Sequence, residues 1–130
     1  MNTTLRYFWP AALWAIFILI ICNISLGKVG GSPLFFAGFD KFTHCGLFFV
    51  MTVLYCSGFL RKYNLAYIPV GKIILIAAAI ILYGGIIEIL QEYIFTWRSG
   101  DWSDLFADTV GTCMGVFSLI AITSSIKKTY

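Results

Sequence analysis

Residues 73–87 read IILIAAAIILYGGII, a run without charge or proline, and the apolar pattern resumes as Ile89-Leu90 and Tyr93-Ile94-Phe95 around Glu88, Gln91 and Glu92. A bilayer core takes roughly 20 apolar residues per helix, so this stretch predicts a transmembrane helix over about residues 72–96. Three further runs repeat the pattern. Tyr7 to Gly27 and Thr109 to Ile126 carry no charge, nor does Phe42 to Leu60 while His44 is neutral. They predict spans near 8–26, 41–60 and 104–126, and an all-α integral membrane protein with a bundle of four transmembrane helices. Little of the 130-residue chain remains for a second domain.

Composition agrees. A 60% hydrophobic and 12% charged chain departs from soluble domains, whose charged fraction is about 25%. The first span also has leader-like features, a basic start at Arg6 and a small-residue Ser25-Leu-Gly27, but its apolar run exceeds the usual h-region. It therefore reads as a retained helix, with Pro10 in its first turn, where proline is tolerated. Cys22, Cys45, Cys56 and Cys113 all fall inside spans without metal-ligand spacing. They read as small buried hydrophobes, not as a disulfide framework.

Short-loop Lys and Arg set orientation. Arg6, Arg61, Lys62, Lys72, Lys127 and Lys128 fall on one predicted side; Lys28, Lys41 and Arg98 fall on the other. Six against three predicts both termini in the cytoplasm. All six acids, Asp40, Glu88, Glu92, Asp101, Asp104 and Asp108, then share the outer side with His44. The basic inner rim should meet anionic lipid headgroups.

The outer side opens with a turn-forming stretch, residues 28–33, and an apolar Leu34-Phe35-Phe36 suited to the interface. Asp40 suits the N-cap of the second helix. His44 lies four residues on, on nearly the same face and about 6 Å deeper. Glu88 shares a face with Gln91 and Glu92, roughly 13 Å along the helix from Trp97. A charge at mid-bilayer costs about 2.5–3.5 kcal/mol, so Glu88 should meet a partner or a wet cavity rather than lipid. Gly84, one turn away, admits a close neighbour. Asp101 or Ser103 suits the cap of the fourth helix, and Asp104 and Asp108 lie one turn apart, continued by the Gly111-x-x-x-Gly115 packing motif. Arg98 is the strong cation among these acids, able to grip a carboxylate or phosphate bidentately.

Asp40-Lys41-x-x-His44, Glu88-x-x-Gln91, Arg98, Asp104 and Gly111-x-x-x-Gly115 together resemble the VanZ-like membrane proteins, over about Phe39 to Gly115. The resemblance implies a link to glycopeptide resistance of the teicoplanin type, in a family whose biochemical activity is poorly defined. Where the family often has Asn one turn after the aspartate of the fourth helix, this chain has Asp108, which adds a negative charge.

The candidate ligand-binding set is thus Asp40, His44, Glu88, Gln91, Arg98, Asp104 and Asp108. Each also has a structural reading: Asp40 and Asp101 as caps, Glu92 as a solvated rim charge, Asp104 as a salt-bridge partner of Arg98, His44 and Gln91 as interhelical hydrogen-bonders. Three functions fit. The first is an outward polar pocket binding an amphiphilic envelope lipid or lipoglycopeptide. The second is an enzyme acting on a lipid-linked envelope precursor, with His44 and Glu88 or Asp108 as acid and base. The third is a small transporter, for which four helices would need a homo-oligomer. The sequence carries no cofactor motif, metal-ligand spacing, phosphate loop or nucleophile elbow, and its paired basic residues are topology anchors, not a nucleic-acid surface.

Overall fold

A computed structural model describes residues 3–24, 38–95, 97 and 99–127. The turn at 28–33, the apolar 34–36, Arg98 and Lys128 lie outside the described residues. Four helices form: α1 Thr3–Asn23, α2 Phe39–Tyr63, α3 Val70–Tyr93 and α4 Trp102–Lys127. Each is long and apolar enough to cross a bilayer, and the described residues contain no strand. The chain is a multi-pass helical membrane protein.

The helices run up and down. The end of α1 meets the end of α3, where Gln91 Nε2 donates to the Cys22 carbonyl at 2.9 Å. The same end holds the starts of α2 and α4, joined by Lys41 and Asp101 at 3.0 Å. At the opposite end Lys62 Nζ donates to Thr4 Oγ1. Helices α2 and α4 pack most extensively, with α1 against α2 and α3 against α4.

Burial is inverted relative to a soluble bundle. Leu75, Leu82 and Phe117 are more than 60% exposed, as suits side chains facing lipid tails. His44, Thr52, Glu88, Gln91, Asp104, Asp108 and Thr112 are buried. Association in lipid relies on close packing and interhelical hydrogen bonds, since tails are as apolar as leucine. Glycine supplies the packing here. A Cβ on Gly111 would collide with the Cys45 carbonyl of α2, and one on Gly115 would lie 2.7 Å from Thr52 Cβ. The Gly111-x-x-x-Gly115 motif is the α2–α4 contact. Interior apolar groups, among them Ile18, Phe48, Ile80, Ile87 and Leu119, fill the remaining core.

Three local expectations are corrected. Helix α1 starts at Thr3, so Pro10 is inside it and not in its first turn; membrane helices tolerate such a proline because neighbouring groups re-satisfy the freed carbonyl. Asp40 is not the N-cap of α2. Gly38 takes that place with φ 88°, its carbonyl accepting from the Phe42 amide, and Asp40 sits inside the first turn. The α2 terminus reaches Tyr63 because Asn64 adopts the left-handed conformation and Leu65 N closes onto the Leu60 carbonyl, a Schellman-type stop.

Candidate functional site

The site lies at the bundle end where α2 and α4 start and α3 finishes. Asp101 caps α4: its Oδ1 accepts the Ser103 amide at 2.8 Å, and its carbonyl accepts the Asp104 amide. The Ser103 hydroxyl and amide, with Lys41 beside them, hold the exposed Asp101 carboxyl well below the usual carboxylate range. That cap sets the register of the two aspartates that follow. Asp104 and Asp108 point inward, 2% and 0% exposed, as their spacing predicts.

His44 is the hub. Its Nδ1 lies 2.9 Å from Asp108 Oδ1. The other nitrogen, Nε2, lies 3.9 Å from Asp104 Oδ2 and 4.0 Å from Asp40 Oδ1, close enough for charge but too far for a hydrogen bond. A buried carboxylate on one imidazole nitrogen fixes ring orientation and leaves the second for a proton or a ligand.

Glu88 belongs to two environments. Its Oε2 accepts the Asp101 amide at 2.8 Å, and Gly100 packs against its carbonyl, where a Cβ would lie 2.7 Å from the oxygen. This folds residues 99–101 back over the end of α3. Its Oε1 is buried without a hydrogen-bond partner, as is Asp108 Oδ2. Asp108 Oδ2 faces Gly84 on α3, where a Cβ would sit 2.5 Å away. The close approach expected at Gly84 is thus made by the side chain of Asp108.

A cavity of about 250 Å³ opens beside the cluster, lined by Glu88, Glu92, Tyr93, Gly100, Asp101 and Trp102. Of the candidate residues that the structure describes, Glu88 alone lines it. His44, Asp104 and Asp108 lie behind, packed between α2, α3 and α4. Among the described residues the polar end thus has two parts, an acidic cavity and a buried His-carboxylate cluster, with Glu88 belonging to both. Glu92 is at the rim as expected, its Oε2 accepting the Gly100 amide at 3.0 Å.

Among the described residues the cation within the acid cluster is Lys41, whose Nζ lies 3.0 Å from Asp101 and 3.1 Å from Asp104; Arg98, expected from sequence to pair with these acids, lies outside the described residues. Lys41 precedes His44 by three residues on one helical face, so the spacing carried the signal. Gln91 makes the interhelical hydrogen bond of its structural reading: its amide donates to the Cys22 carbonyl and ties α3 to α1. Trp97 Nε1 makes a parallel tie to the Asn23 carbonyl at 2.9 Å.

Comparison of the chain with protein-family models, curated proteins and solved structures gives no match.

Proposed function

We propose that the chain is a VanZ-like polytopic protein of the bacterial cytoplasmic membrane, with both termini cytoplasmic and the polar cluster on the extracytoplasmic side. In this reading it binds an amphiphilic envelope lipid or lipoglycopeptide there and contributes to glycopeptide resistance of the teicoplanin type. One observation carries the reading: Glu88, an acid buried in a membrane helix, keeps one oxygen without a partner while its side chain forms the wall of a cavity. A buried unpaired acceptor costs about 1–3 kcal/mol, and of the buried side chains with such an atom Glu88 is the one that lines the cavity.

Size and lining support an amphiphile. About 250 Å³ holds a headgroup fragment and not a whole lipid. The exposed Ile89, Tyr93 and Trp102 that line it offer an apolar flank along which acyl chains would run. The basic-residue asymmetry supports the orientation, and the quoted motifs support the family. Teicoplanin susceptibility of a sensitive host expressing the chain is the test. Wild type should raise the inhibitory concentration, and Glu88→Gln should return it to the vector level at equal membrane abundance; resistance unchanged in Glu88→Gln would refute the pocket.

The His44–Asp108 pair favours a second reading, acid–base chemistry on a lipid-linked precursor, since Asp108 orients the ring and leaves Nε2 toward Asp40 and Asp104. Purified chain incubated with such precursors should then give a new product by mass spectrometry that His44→Asn does not form. No turnover across several precursors would refute this version alone. Transport gains no support: the buried acids gather at one end of the bundle instead of the midplane.

A further inference from the structure

We propose that His44, Glu88 and Asp108 bind a divalent metal ion of the Mn2+ or Zn2+ type in the buried compartment. One donor atom from each lies within 4.8 Å of the other two, and all three side chains are at least 97% buried. Acidic proximity alone would not suffice, since exposed carboxylates often cluster. Two separate features point to a ligand. Among the described residues five buried side-chain oxygens lack a hydrogen-bond partner, and two of them, Glu88 Oε1 and Asp108 Oδ2, are carboxylate oxygens of this trio. The donor set also mixes an imidazole with carboxylates, the combination that Zn2+ and Mn2+ sites use.

Charge distinguishes this trio from its neighbour. Asp40, His44 and Asp104 form an overlapping group, but there the Lys41 ammonium already stands 3.1 Å from Asp104. The deeper trio has only the imidazole: among the described residues Asp108 pairs with His44 alone, and Glu88 is in no ion pair. Two carboxylates in a low-dielectric interior need more compensation than one imidazole, and a divalent ion supplies it. Metal–ligand distances of about 2.0–2.2 Å require donors somewhat closer than 4.8 Å, a contraction within reach of small side-chain rotations.

The metal also addresses a difficulty in the amphiphile reading, on which this one consequence rests. A cavity walled by Glu88, Glu92 and Asp101 repels a phosphate or carboxylate head. A cation behind Glu88 would let it accept one.

Metal binding is measurable without any amphiphile. The full chain in detergent is stripped with EDTA, exposed to Mn2+ or Zn2+ alone, desalted, and its metal content determined by plasma mass spectrometry. About one ion per chain is expected for at least one metal, at least tenfold weaker in Glu88→Gln and Asp108→Asn and retained in Asp40→Asn. These are near-isosteric changes, and circular dichroism with gel filtration verifies their fold. Mn2+ is the cleaner probe, because Zn2+ also favours thiolates and the chain has four free cysteines. Wild type holding neither ion above the buffer blank would overturn the proposal. So would binding retained in Glu88→Gln or Asp108→Asn, or lost in Asp40→Asn. Absence of metal with intact resistance would leave the amphiphile pocket standing; metal bound without resistance would do the reverse.

Discussion

Severing the His44–Asp108 contact is the perturbation whose magnitude the structure constrains best. Interhelical hydrogen bonds in membranes are usually weak, averaging about 0.6 kcal/mol with a maximum near 1.7, because the separated groups find other partners. Here that escape is closed. The atoms are 2.9 Å apart, both side chains are at most 2% exposed, and the second Asp108 oxygen already lacks a partner. Hydrogen bonds to a charged group contribute about 1.5–3 kcal/mol, which at 1.4 kcal/mol per decade is roughly a tenfold to hundredfold change in the unfolding constant. A double-mutant cycle isolates the pairwise part from the cavity each truncation leaves. Wild type, His44→Ala, Asp108→Ala and the double variant would be unfolded reversibly with SDS in mixed micelles. The expected coupling is about 1.5–3 kcal/mol, the double variant being less damaged than the sum of the singles. Coupling at or below about 0.6 kcal/mol would show an ordinary membrane hydrogen bond and remove His44 as the hub.

Gly111→Val should destabilise the bundle by about 1–3 kcal/mol, because the new Cβ collides with the Cys45 carbonyl and α2 and α4 must separate. Gly46→Ala, with nothing within 4 Å of its Cβ, should change stability by less than about 0.5 kcal/mol in the same SDS titration; equal effects would contradict the α2–α4 contact. Folding lowers the Asp101 pKa, so its stabilisation is complete above the unfolded value of about 3.9 and is lost as pH falls through the lower folded value. The difference in Tm between wild type and Asp101→Ala should therefore stay constant from pH 7 to 5 and shrink only below about pH 4; shrinkage already between pH 7 and 5 would place the cap elsewhere.

Much of this was legible before any coordinates, and the misses share a cause. The four spans follow from uncharged runs, because a bilayer admits almost nothing else. The inward aspect of Asp104 and Asp108 follows from one-turn spacing beside Gly111. What sequence did not convey is how each helix rotates about its own axis once packed. That rotation sets Gln91 against Cys22 and brings Lys41 to Asp104. Nor does the pattern tell which residue opens a helix. Asp40 has the chemistry of a cap, but Gly38, with its positive φ, starts α2 earlier. The division of the polar cluster into a cavity and a buried compartment depends on residues 99–101 folding over Glu88, a tertiary contact without a local signal.

The central claim is that the polar end of the bundle takes an amphiphilic ligand, and Trp102 offers a built-in reporter because it is one of the residues lining the cavity. Purified chain in detergent would be titrated with teicoplanin and, separately, with a lipid-linked envelope precursor, while tryptophan emission is followed. The expected result is a saturable change with at least one of the two. It should be largely lost in Trp102→Phe and shifted at least tenfold to weaker binding in Glu88→Gln, about the 1.4 kcal/mol of one lost hydrogen bond. No saturable change with either amphiphile, or an identical titration in Glu88→Gln, would contradict it and leave the cluster as an interhelical brace.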